Sequence, residues 1–124
     1  MNDEVLYFLP EDLYRIGNAS SPLMTKIRAG EITLMDVNGI KTIVANNKGI
    51  SLFNERGLTF APLTGWVYEL KRGTPIPSEL HLYKDPLLEG HYMLCPLRNM
   101  PVRKYAGLLD EIAVHCYKVF KKTA

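Results

Sequence analysis

Three polar side chains stand in stretches that otherwise read as strands: Arg15 in "DLYRIG", Ser51 in "GISLF" and His91 at the head of "HYMLCP". A guanidinium is a permanent cation with a planar fork of donors. A hydroxyl both donates and accepts, and an imidazole exchanges a proton near neutral pH. Each residue also has a plain structural reading. Arg15 fits an outward-facing arginine or an ion pair at the edge of the core, Ser51 a small residue in a tight part of the pleat, and His91 a hydrogen-bonded strand histidine. Other chemistries lack their residues. No Gly-rich phosphate loop opens a helix, and there is no H-E-x-x-H, G-x-S-x-G or EF-hand loop. A serine hydrolase needs a base and an orienting acid, and no spacing in the sequence pairs them with Ser51. Cys95 and Cys116 form no C-x-x-C, and two thiols alone cannot build a zinc site. Both lie in apolar patterns and are expected buried and reduced, as in a cytoplasmic setting. His81, His91 and His115 have no metal-ligand spacing, so no metal is expected.

The elements that must carry these residues are mostly strands. The alternation predicts strands over 12–17, 49–53, 66–70, 80–84 and 91–95, with further strand-favouring residues in "KTIVA". Asn46-Asn47-Lys48-Gly49 reads as the turn between "KTIVA" and "GISLF". "EITLMDV" fits a strand or a short helical piece, and "NERGLTFAPLTG" (54–65) reads as a surface loop. Pro75 and Pro77 stiffen the connection at 71–79. One clear helix starts near Pro101, with Val102, Tyr105, Leu109, Ile112, Cys116 and Val119 or Phe120 on a single apolar stripe. Lys118, Lys121 and Lys122 then read as its solvated C-terminal end. Strands followed by one helix define an α+β class. The 124 residues suit one domain spanning 1–124, and 47% hydrophobic content suits a globular core. A net charge of +2 is too weak to indicate nucleic acid, and no apolar run is long enough to span a bilayer. The acidic "MNDEVLYFLPEDLYRI" lacks the basic head and cleavage site of a secretory signal.

Taken in order, "DLYRIGN", "GISLF", "GTPIPSELHLYKD" and "HYMLCPLRNMP" resemble the type VI secretion toxin family of Pseudomonas and its fungal and bacterial relatives. Its fold is similar to that of the ADP-ribosyltransferases. The resemblance runs from about Asp12 into the C-terminal helix. It implies a split, mainly antiparallel sheet core with NAD as the substrate. It further implies that Arg15 contacts the dinucleotide phosphates, that Ser51 hydrogen-bonds near the nicotinamide ribose, and that His91 is the histidine of the family's His-Tyr strand. An arginine fork suits a pyrophosphate, and a compact hydroxyl suits a ribose or carboxamide. The three side chains should then line one concave site, and Arg15→Ala should leave the fold intact, as for a surface arginine.

The sequence departs from that pattern in two places. Ile50 stands where the Pseudomonas relative has a threonine before its serine. The strand at 91–96 also carries no glutamate of the kind many transferases of this fold use to stabilise the ribosyl cation. Glu89 and Asp85 do not match its usual place. Two readings therefore stay open. One is an NAD-dependent toxin that transfers ADP-ribose or hydrolyses NAD, acting in a bacterial cytoplasm. The other is a non-enzymatic toxin or binding domain that keeps the fold. Either is compatible with a small immunity or antitoxin protein as partner.

Overall fold

A computed structural model describes residues 6–28 and 30–124. The start of the acidic N-terminal stretch, 1–5, lies outside the described residues. The elements follow in the order β1 (Leu13–Gly17), β2 (Leu34–Val37), β3 (Ile40–Ile43), β4 (Ile50–Phe53), α1 (Glu55–Phe60), β5 (Gly65–Leu70), β6 (Leu80–Lys84), β7 (His91–Pro96), β8 (Met100–Pro101), α2 (Val102–Ala113) and β9 (Tyr117–Lys122). A six-stranded sheet has the order β6-β7-β4-β1-β5-β9, and a three-stranded sheet the order β2-β3-β8. Every pairing among them is antiparallel. The α+β class and the divided antiparallel sheet are as the sequence predicts.

Two local expectations are corrected, at 54–65 and beyond Ala113, while Asn46–Gly49 does connect two strands, β3 and β4. β3 pairs with β2 and β8, whereas β4 pairs with β1 and β7, so the turn carries the chain from one sheet to the other. The stretch 54–65 holds the short helix α1 rather than only loop. Asn54 caps it, its side chain accepting the Gly57 N–H at 2.8 Å. The apolar stripe of α2 ends at Ala113, and the residues beyond it form the edge strand β9. Tyr117, Val119 and Phe120 are strand formers, and β5 offers them an unpaired edge. Their lysines are therefore not a helix terminus. Lys118 donates to the Ala19 carbonyl and lies 4.7 Å from the Trp66 ring centre, and Lys122 donates to the carbonyls of Ala61 and Leu63.

The register sorts side chains onto two faces of the large sheet. Leu13, Ile50, Leu52, Leu70, Leu82 and Leu94 share the main core with Tyr105, Leu109 and Ile112 of α2. Ile16, Phe53 and Val67 share the opposite face with Leu58 and Ala61. Period-two alternation in β4 thus sends Leu52 inward beneath α2 and Ser51 and Phe53 to the other side. The Tyr105 hydroxyl bridges the end of the β4–β7 ladder. It accepts from Ile50 N at 3.0 Å and donates to Leu94 O at 2.6 Å. α1 lies close to Gly90. A Cβ on Gly57 would come within 2.4 Å of Gly90 O, so the helix can settle there only with glycine at 57.

Buried phenols should make the fold alkali-sensitive. Tyr14 is pushed up to about 12 by burial and then by its bond to Glu69, and Tyr92 to about 12 by burial and then by its bond to Glu11. Burial raises Tyr105 further still. A raised folded-state value contributes stability that is complete below the ordinary tyrosine value of about 10 and disappears as pH rises through 12. Absorbance titration should therefore find these tyrosines ionising late, and melting temperatures should fall between about pH 10 and 12. Melting temperatures flat across that range would show these phenols to be no more buried than in the unfolded chain.

Candidate functional site

The β1–β4 seam is where the large sheet opens. Its register has one residue pair, Tyr14 opposite Phe53. Beyond it, side chains take the place of the ladder. Ser51 N donates to Glu31 Oε2 at 2.8 Å, and Ser51 O accepts from Arg15 Nη1 at 3.1 Å. Arg15 Nη1 also donates to Glu31 Oε2 at 3.0 Å, while Nη2 donates to the carbonyls of Leu23 and Lys26. Arg28 N donates to the other Glu31 oxygen at 2.6 Å. The Arg15 and Glu31 side chains are 1% and 8% exposed, so this is an interior ion pair that holds the loop before β2 against the opened seam.

On the other face the Ser51 hydroxyl meets His91. Phe53 is opposite His91 and Ser51 opposite Met93, which makes Ser51 and His91 diagonal neighbours on one face. Ser51 Oγ and His91 Nε2 are 2.8 Å apart, and His91 Nδ1 and Asp85 Oδ2 are also 2.8 Å apart. The Phe53 ring packs 5.1 Å from the imidazole centre. Asp85 and His91 flank the β6–β7 turn and are tied across it, with Asp85 N donating to His91 O at 2.9 Å. The hydrogen bond to His91, followed by that from Leu87 N, holds the Asp85 carboxyl below the usual carboxylate range. It stays ionised, and what it adds to stability is lost only as pH falls through that depressed value. The His91 and Asp85 side chains are 14% and 19% exposed, so the group is partly shielded yet reachable.

The structure thus brings Ser51 and His91 together and adds Asp85. The sequence reading found no base and acid for Ser51; folding supplies both. Arg15 is not brought to the same place. Its guanidinium is on the α2 side, touches Ser51 only through the main-chain carbonyl, and is buried, contrary to the expected surface arginine. Glu31, also missed, stands where Arg15 and Ser51 converge. The Asp85 signal was present as a carboxylate and a histidine on either side of a turn between two predicted strands. Nothing local signalled Glu31.

Other features lie apart from this group. A cavity of about 650 Å³ is lined by Ile40, Lys41, Pro101, Val102, Arg103 and Lys104, and by none of Ser51, His91 or Asp85. Cys95 and Cys116 are both free thiols, and burial pushes each up to about 12, where the reactive thiolate is scarce at neutral pH. Among the described residues no cluster of His, Cys, Asp and Glu could hold a metal ion, and no helix is long and apolar enough to cross a membrane.

The divided antiparallel sheet is consistent with an ADP-ribosyltransferase-like fold. The sequence model of the Tse2 ADP-ribosyltransferase toxin family matches residues 11–119, and the chain belongs to that family. No curated protein and no solved structure matches the chain.

Proposed function

We propose that this toxin takes NAD as its substrate and breaks the bond between nicotinamide and ribose, passing ADP-ribose to an acceptor or to water. The observation that carries the reading is the 2.8 Å approach of Ser51 Oγ to His91 Nε2 in a chain of this family. The hydroxyl suits the ribose of the nicotinamide half, and His91 can hold the proton of that hydroxyl. Positioning and electrostatics, rather than a covalent cofactor, then lower the barrier. The toxin would act in the cytoplasm of a target bacterium after type VI secretion, and a small immunity protein covering this region would neutralise it.

Arg15 favours a second reading. Its Nη1 and Nη2 are already bonded to Glu31 and to the carbonyls of Ser51, Leu23 and Lys26, and its Nε is buried without a hydrogen-bond partner. A pyrophosphate would reach it only by displacing Glu31. A toxin that grips a macromolecule and leaves NAD untouched would need no such exchange.

The test is purified protein with NAD, read as nicotinamide release, beside expression in a bacterial cytoplasm. The expected result is growth arrest with release of nicotinamide. A melting temperature that rises with NAD would report the bound state, by about 1.4 kcal/mol at ten times Kd. Growth arrest with neither release nor a melting shift at millimolar NAD would overturn the NAD reading and leave the binding toxin.

A further inference from the structure

We infer that Asp85 is a positioning residue: it holds His91 in the tautomer whose Nε2 accepts a hydrogen bond from the Ser51 hydroxyl and so orients that hydroxyl's lone pairs toward substrate. This inference builds on the NAD reading above and concerns the same site.

The argument begins with hydrogen-bond capacity. Asp85 Oδ2 is 2.8 Å from His91 Nδ1, and an ionised carboxylate can only accept. In a neutral ring Nδ1 therefore carries the hydrogen and Nε2 is the acceptor. Its partner at 2.8 Å is Ser51 Oγ, so the hydroxyl donates to the ring and turns its lone pairs outward. Without that constraint the ring could carry its hydrogen on Nε2 and donate to Ser51, occupying a lone pair that substrate would use.

The carboxylate is itself fixed. Leu87 N donates to its other oxygen, Oδ1, at 2.8 Å, and Asp85 N binds His91 O across the turn. Phe53 against the ring opposes reorientation of the imidazole. The same hydroxyl is less suited to attack on an acyl carbon. Ser51 N, the donor that commonly stabilises an acyl oxyanion beside a nucleophilic serine, is taken by Glu31. A reaction that develops positive charge at a ribose carbon has no need of that donor.

Asp85→Asn is the informative substitution, because it keeps size and shape. Its amide oxygen must continue to accept from Leu87 N, which turns the NH2 group toward His91 Nδ1. That group donates, so the ring should switch to the Nε2–H tautomer. Long-range proton–nitrogen spectra of the histidine rings, recorded without NAD, should show the Nδ1–H form of His91 in wild type and the Nε2–H form in Asp85→Asn. Asp85→Glu, which retains an acceptor, should keep the wild-type tautomer and more of the activity than Asp85→Asn. Nicotinamide release by Asp85→Asn should fall by about 100-fold, with a melting temperature lowered by no more than about a few degrees. An unchanged tautomer in Asp85→Asn would overturn the inference, as would a switched tautomer with release within about twofold of wild type. If wild type releases no nicotinamide, the NAD reading falls, and the ring spectra then decide by themselves whether Asp85 orients His91.

Discussion

Arg15→Ala should lower the unfolding free energy by about 3–5 kcal/mol, the usual consequence of removing one partner from a buried ion pair. Arg15 is 1% exposed and bonds to Glu31 and to three main-chain carbonyls. Truncation leaves those carbonyls without their donor. It also leaves the Glu31 carboxylate, 8% exposed, without its principal counter-charge. A domain of this size has only about 5–15 kcal/mol in total, so the melting temperature should drop by on the order of 10 °C. Urea titration and a thermal melt check this directly. A melt within a degree or two of wild type would mean that the guanidinium is not buried as described. Loss of toxicity in this variant is consequently no measure of phosphate binding, and must be read beside soluble yield. Arg15→Lys keeps the charge but loses the fork, and should fall between the two.

Ser51→Ala should do the opposite: spare the fold and remove the activity. Glu31 and Arg15 hold Ser51 through its N–H and C=O, which alanine retains. The substitution removes one partly shielded hydrogen bond to His91, a loss of about 1 kcal/mol or less. Growth arrest should be relieved at normal soluble yield, and nicotinamide release should fall by about 100-fold or more. The two variants divide the roles cleanly, since both touch the same strand residue from opposite sides of the sheet. Arrest that persists undiminished in Ser51→Ala, at wild-type stability, would remove the hydroxyl from the mechanism and favour toxicity by binding alone.

Much was legible in the chain itself. Period-two alternation located β1, β4, β5, β6 and β7, because residues two apart share one packed face of the sheet. The 101–112 stripe revealed α2 for the same reason at the helical period, and four short motifs in order pointed to the family that the match at 11–119 identifies. Local pattern failed where the partner was remote. Residues 117–122 mix Tyr117, Val119 and Phe120 with three lysines in a pattern that suits either period, and only the free edge of β5 made them a strand. The turn between β3 and β4 was legible, but nothing in its four residues reveals that the two strands pair elsewhere. The site divides along the same line. Alternation alone puts Ser51 and Arg15 in strands, but it cannot tell that those strands are adjacent and that the two side chains consequently point to opposite faces. Asp85 and His91 are neighbours through a local turn, whereas Ser51 joins them across 40 residues and Glu31 reaches Ser51 across 20. Hydrogen bonds of that span exist only once register is set, and register is a property of the whole sheet.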